Sequence, residues 1–154
     1  MTKQPKPRPA VNLEPIAGTD VGLRNALKAE RLPIDDLAEA GRTFFRVREG
    51  ANTLGFGGYE LYSEHALIRS LVVLPEARKR GIGRQVAEQI LESARKEGAR
   101  RAYLLTESAS EFFQQLGFRS IAAREEAPAE ILATRQAAGL CPASAILLMC
   151  DLEP

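Results

Sequence analysis

The alternation of apolar and polar residues divides the chain into short elements of two different periods. Leu23, Ala26 and Leu27 predict a first helix, which Thr19 or Asp20 can cap and Pro33 limits. Residues 35–40 predict a shorter helical piece that stops at Gly41. Residues 44–48 and 53–60 are rich in aromatic and β-branched side chains and flank Glu49-Gly50-Ala51-Asn52, the pattern of an antiparallel hairpin. Gly55, Gly57 and Gly58 fall inside its second strand, which calls for a bulge or a close backbone approach there.

Residues 67–74 are apolar except for Arg69 and Ser70 and end at Pro75, as a buried central strand does. Ile82, Val86, Ile90 and Ala94 then recur every four residues, with Ala87 and Leu91 widening the stripe and Gly98 ending it, which predicts the longest helix. Residues 101–106 predict a strand, and Ser108 or Ser110 starts a short helix carrying Phe112, Phe113 and Leu116 up to Gly117. A strand begins over 118–122, a helix runs from Pro128 to about Ala138, and 143–150 supplies a last apolar strand. An early hairpin followed by a strand-helix-strand passage predicts a mixed α/β sheet rather than a bundle or a sandwich.

Composition narrows the possible partners. With 154 residues there is room for one domain with a sizeable core, expected over 11–154, and the proline-punctuated residues 1–10 read as a flexible tail. Lys and Arg number 21 against 20 Asp and Glu, so net charge points to neither nucleic acid nor membrane. No apolar run approaches the ~18 residues that span a bilayer. Pro5, Pro7 and Pro9 interrupt any export signal, and Cys141 and Cys150 have no metal-type spacing, so a cytoplasmic monomer or homodimer without a metal is the expectation.

The local charge distribution is more informative. Arg78, Lys79, Arg80 and Arg84 fall inside seven residues that contain no acid, between the predicted central strand and the long helix. A helix start exposes unpaired N–H groups, and Gly81 and Gly83 let a ligand come close to that backbone. Phosphate oxygens can accept those hydrogens while the helix dipole favours their charge. Cations crowded at the positive end of a helix are unfavourable by roughly 0.3–1 kcal/mol each unless an anion joins them. The Gly-Lys-Ser or Gly-Lys-Thr ending of a Walker loop is missing, and Val86 stands where a dinucleotide fingerprint needs its third glycine.

Arg78-Lys79-Arg80-Gly81-Ile82-Gly83 resembles the acetyl-CoA motif of the GCN5-related N-acetyltransferase superfamily: Gln or Arg, two variable residues, Gly, one variable residue, then Gly or Ala. Leu71-Val72-Val73 is similar to the family strand whose backbone pairs with the pantetheine arm, and residues 107–118 resemble the following motif that ends in a helix and Gly-Phe. The resemblance runs from Val11 to Cys150. It implies a mixed, mostly antiparallel twisted sheet with helices on both faces, acetyl-CoA as cosubstrate, and Leu71, Val72, Val73, Arg78, Lys79, Arg80, Gly81, Ile82, Gly83, Arg84 and Phe113 as cofactor-binding residues. It also implies that the central strand splays from the strand over 104–106 to admit the thioester. A narrower similarity joins Ala129-Glu130-Ile131, Thr134-Arg135 and residues 140–145 to small acetyltransferases associated with arsenic resistance and to amino-acid acetyltransferases.

Acetyl transfer to an amine needs an unprotonated nucleophile, a donor for the thioester oxygen and a proton for the thiolate. Glu60, at the end of the second predicted strand, is the first candidate for the base, ahead of His65. Many family members place a thiolate-protonating tyrosine four residues before Gly-Phe; Phe113 stands there, which leaves water or Tyr62 as the acid. Arg135 is the candidate for gripping an acceptor carboxylate, and Cys141 for lining the acceptor pocket. A small amine acceptor is expected, because the helix from Pro128 is additional to the minimal fold and covers the acceptor side. A non-catalytic acetyl-CoA sensor and a protein or peptide acetyltransferase are the alternatives.

Overall fold

The computed structural model describes residues 11–78, 81–121, 126–140 and 144–152. Seven strands form one sheet: β1 (Val11–Ile16), β2 (Arg42–Glu49), β3 (Asn52–Tyr62), β4 (His65–Val73), β5 (Arg101–Thr106), β6 (Arg119–Ser120) and β7 (Ile146–Asp151). Their spatial order is β1-β2-β3-β4-β5-β7-β6, antiparallel throughout except for the central β4–β5 pair. Helices α1 (Val21–Ala29) and α5 (Ala129–Leu132) cover one face, and α3 (Gly83–Lys96) and α4 (Ser110–Gln115) the other. A single turn, α2 (Pro75–Arg78), joins β4 to the approach of α3. The expected mostly antiparallel sheet with helices on both faces is the architecture found.

The stripe that predicts α3 is the stripe it buries: Val86, Ala87, Ile90 and Ala94 are all 2% exposed or less. A fully buried Val or Ile contributes roughly 1.5–3 kcal/mol. Ile90 lies so close to β3 that a Cβ on Gly57 would stand 2.8 Å from its Cγ1, so that glycine lets the helix settle on the sheet. On the opposite face Leu23 and Leu27 pack against Phe44, Phe56 and Val72, while Ile131 of α5 packs with Leu67, Tyr103 and Leu147.

The strand β4 carries one residue more than β3 between shared pairs. Phe56 faces Val72 and Gly58 faces Arg69, so two steps along β3 match three along β4. Ser70 takes up the excess at φ 57°, a bulge. The bulge inverts the pleat: Ala66 and Ile68 point towards α3, and beyond it Leu71 and Val73 do so, while Leu67 and Val72 face the other side. The sequence called for a bulge or a close approach at the glycines of β3, and the close approach is there: a Cβ on Gly55 would run into the Val72 carbonyl oxygen and one on Gly58 into that of Thr43, while this bulged residue lies on the facing strand.

Four segments depart from expectation. β1 is an edge strand whose pattern is blurred by Pro15. Residues 35–40 form irregular turns, not a helix, because Asp36 is drawn inward. The single helix expected from Pro128 to Ala138 is broken: α5 ends at Leu132, Thr134 turns its hydroxyl back to the Ile131 carbonyl at 2.8 Å, and a π-helical turn follows at Gln136–Leu140. β6 is only Arg119–Ser120, and residues 122 and 143 of the last two predicted strands lie outside the described residues, as does the tail over 1–10.

Asp36 anchors its loop through a buried ion cluster. Arg69 of β4, 3% exposed, donates to Asp36 Oδ2 at 2.6 Å and Oδ1 at 2.7 Å, and to Glu60 Oε2 at 2.9 Å. Arg42 adds a 2.9 Å bond to Asp36 and lies 3.8 Å from Glu60, and the Arg69 guanidinium sits 5.6 Å above the centre of the Phe44 ring. Two cations and two carboxylates balance. Burial would raise the Asp36 pKa, but hydrogen bonds and charge from Arg69 and Arg42 outweigh it and hold the group at about 2. A carboxylate depressed in the folded state stabilises the fold above its ordinary pKa of 3.8, and that contribution is lost as pH falls towards 2. Urea unfolding of the native protein and of Asp36→Asn therefore gives a stability difference largest at pH 5. It shrinks by about 2 kcal/mol by pH 2; a pH-independent difference would show that Asp36 is not held ionised by the cluster.

Candidate active site

The parallel pairing of β4 and β5 stops early. His65, Ala66 and Leu67 face Arg101, Ala102 and Tyr103, and no pair follows, although β5 continues against β7 as far as Thr106. Both strands run on past the last pair, so the edge of β4 from Ile68 to Val73 and the end of β5 form the walls of an opening. A cavity of about 590 Å³ fills it, lined by Leu71, Val72 and Val73 on one side and by Leu104, Thr106, Glu107 and Phe113 on the other. The expected splay is present.

Val73, at one end of the cavity wall, also adjoins the start of α3. A Cβ on Gly83 would lie 3.5 Å from Val73 and 3.6 Å from Phe112, so the first turn of this helix abuts the end of β4 and the face of α4. Unlike α1, whose first turn is capped by Asp20 accepting from Leu23 N at 3.0 Å, α3 has Ile82 at its N-cap and no side-chain cap. Its leading amides are thus left for another acceptor. Gly81 precedes them at φ 67°, where a side chain would be strained. Of the four clustered cations, Arg78 lines the cavity, donates to the Val73 carbonyl at 2.7 Å and pairs with Glu30. Arg84 pairs with Glu88 at 2.7 Å on the solvated side of α3, so these two have carboxylate partners without any anion. Lys79 and Arg80 lie outside the described residues.

Phe113 is 8% exposed and stands on the cavity wall, edge-on to Phe112 and Phe118. Its ring has no proton to give. Glu60 and Tyr62, assigned to proton transfer from the sequence, are not on that wall. Glu60 is fully buried, level with Leu67 where β4 leaves β5; Oε2 takes Arg69, and Oε1 takes the Tyr62 hydroxyl in a short bond. Burial, then the hydrogen bond and charge of Glu60, push the Tyr62 phenol up to about 12. The phenol is protonated at neutral pH and committed to Glu60. His65 sits at the far end of β4, edge-on to Tyr103 and 3.7 Å from Glu130.

The acceptor-side residues are also redistributed. Arg135 is exposed and forms a short ion pair with Glu39, away from the cavity lining. Cys141 lies outside the described residues. Instead the next residue, Gln136, turns into the cavity, and Glu107 stands on its wall with its carboxylate accepting from Ser144 at 2.9 Å. Asp35 and Arg31 complete the charged part of that wall, neither with an ion-pair partner among the described residues. Nothing in the sequence distinguishes Gln136 or Glu107 from solvated neighbours, because their positions depend on where α5 breaks and where β5 ends.

These features coincide with a known family. The model of the Acetyltransferase (GNAT) family matches residues 17–118. An uncharacterised N-acetyltransferase of Chlorobaculum tepidum is 33% identical over 89 residues, and the chain spans 57% of that relative's length. Among solved structures, N-acetylglutamate synthase of Neisseria gonorrhoeae, complexed with coenzyme A and N-acetyl-glutamate, has a TM-score of 0.74 at 19% identity, over 94% of this chain and 36% of that one. A Mycobacterium tuberculosis protein in complex with CoA gives 0.70 at 19% identity, over 94% of this chain and 100% of that one. At such identities the structures speak for the fold, whereas the matched stretch takes in the open edge of β4, the uncapped start of α3 and the helix bearing Phe113, and so the chain belongs to the Acetyltransferase (GNAT) family.

Proposed function

We propose that the protein transfers the acetyl group of acetyl-CoA to the amine of a small, amino-acid-like acceptor. The observation that carries this is the cavity along the open β4 edge, whose Val73 end lies beside the uncapped first turn of α3. The pyrophosphate takes the amides from Gly81 to Arg84, the pantetheine arm lies along Leu71, Val72 and Val73, and the thioester sits in the splay, where a free N–H of β4 can bind its oxygen. The amine attacks the thioester carbon, and the C–S bond of the resulting tetrahedral adduct breaks to release CoA.

Glu107 is the better-placed proton acceptor, being the carboxylate next to the end of β5. Glu60 keeps Arg69 and Tyr62 in place. With Phe113 in the tyrosine position, the leaving thiolate draws its proton from solvent or from the ammonium formed by attack. The same phenylalanine favours the alternative of a non-catalytic acetyl-CoA sensor, which turnover would exclude.

An amino-acid-like acceptor is supported by Arg31, an uncompensated cation on the cavity wall, and by the N-acetyl-glutamate bound in the Neisseria gonorrhoeae structure. Gln136, from the segment between Ala127 and Leu140, lines that side of the cavity, which favours a small acceptor over a peptide. A role in arsenic or toxin resistance rests on the resemblance of residues 129–145 alone.

Three measurements test this reading. A Cβ at Gly83 has room, so Gly83→Val is expected to fold and yet to weaken CoA binding about tenfold or more by titration calorimetry, with Glu76→Gln unaffected; equal effects would move the pyrophosphate elsewhere. Glu107→Gln lowers kcat/KM at neutral pH about 10²-fold or more, an effect that shrinks as pH rises and the amine deprotonates itself, whereas Glu60→Gln chiefly lowers thermal stability. The reverse pattern would return the base to Glu60. Finally, free amino acids, their amides, polyamines and lysine peptides compared under saturating acetyl-CoA are expected to rank with the carboxylates first by kcat/KM; polyamines or peptides ahead would overturn the acceptor class.

A further inference from the structure

The side chain of Gln136 is unusual in its surroundings. It is 4% exposed, lies on the cavity wall, and its carboxamide has no hydrogen-bond partner among the described residues. Neither of its polar atoms is among those sealed from contact without a partner, so the amide faces the open cavity rather than the packed interior. A primary amide carries two donors and an acceptor, and a ligand that pairs them is favoured over leaving them unmade. Such a group, buried and unpartnered on the wall of a cavity, is set for a ligand.

The backbone explains how it gets there. Ile131, fully buried against Leu67 and Tyr103, fixes the segment to the sheet. Thr134 then holds the break, accepting from Ala137 N at 3.2 Å while donating to Ile131 O at 2.8 Å. The π-helical turn at Gln136–Leu140 begins at that point, and such wide turns often mark functional sites. Arg135 is left outside with Glu39 and Gln136 is brought in.

Two other cations on the wall are already engaged. Arg69 is held by Asp36, Glu60 and Ser70, and Arg78, half exposed, gives two of its N–H groups to Glu30 and the Val73 carbonyl. Arg31 is exposed at the rim. We propose that Gln136 is the specificity-determining residue for the acceptor, its Nε2 donating to an oxygen of the acceptor's carboxylate at the end remote from the reacting amine. This rests on the acetyltransferase reading of the cavity and adds the group that selects among its acceptors.

The test uses the best carboxylate acceptor of the panel, its carboxamide analogue and the analogue lacking the oxygen-bearing group. Kinetics are measured under saturating acetyl-CoA, and acceptor binding to the CoA-saturated protein by calorimetry. For the native protein the carboxylate leads the truncated analogue by roughly 10- to 100-fold in kcat/KM and in affinity. Gln136→Met, similar in shape but without donors, brings that ratio to within about threefold while the CoA Kd stays within about twofold. Gln136→Glu inverts the preference, repelling the carboxylate and retaining the carboxamide, whose N–H groups can donate to it. Native ratios in both variants, or losses shared equally by all three acceptors and by CoA, would overturn the assignment of Gln136. Discriminating binding without turnover in the native protein would instead overturn the enzymatic reading and leave Gln136 as the ligand-recognising group.

Discussion

The extra residue at Ser70 in β4 governs most of what makes this sheet more than a scaffold. A strand without it would carry the parity of Ala66 and Ile68 onwards, so that Val72 would turn towards α3 and Leu71 and Val73 away from it. With it, Leu71 and Val73 pack beneath α3 while the strand bends away from β5, and pairing ends at Leu67 and Tyr103. The same local event gives the helix a surface to rest on and leaves a row of backbone groups without a strand partner. Backbone polar groups in such a position need a ligand or solvent to complete them. A flexible, extended ligand with amide groups of its own is well matched to that edge.

A bent strand in mid-sheet needs support from behind, and the ion cluster around Arg69 supplies it. Arg69 immediately precedes Ser70, and its bonds to Asp36 and Glu60 tie β4 to the loop after α1 and to β3. Replacing such a cluster by apolar groups of the same shape need not reduce stability, whereas removing one member leaves a buried charge uncompensated. Its evident effect here is directional, since four side chains from four segments converge on one geometry. Tyr62 extends the cluster to the end of β3 and explains why a carboxylate that looked free in the sequence is fully engaged.

How much of this was legible beforehand depends on the range over which each feature is determined. The stripe of α3 and the apolar run of β4 are local patterns, and both elements formed where those patterns lie. The helix start after Gly81 was legible because the glycines, charges and apolar stripe that announce it are contiguous. The surroundings of Glu60 and of residues 135–136 were not, for they depend on contacts between segments distant in the chain. Glu60 looked like a strand-end carboxylate, yet β3 continues to Tyr62 and Arg69 approaches it from the next strand. Arg135 looked like the residue facing the cavity because an unbroken helix was assumed; with the break held by Thr134, Gln136 is the one on the cavity wall.

The way the segment bearing Gln136 is attached has a consequence for how such a protein can diversify. It grips the sheet through Ile131 and a few neighbours, and it shares little with the surfaces that hold α3 and the open edge of β4. Substitutions between residues 133 and 140 can therefore reshape this side of the cavity while the surfaces beneath α3 remain as they are. On the function proposed above, selectivity and donor binding become separately heritable traits, each free to drift without the other.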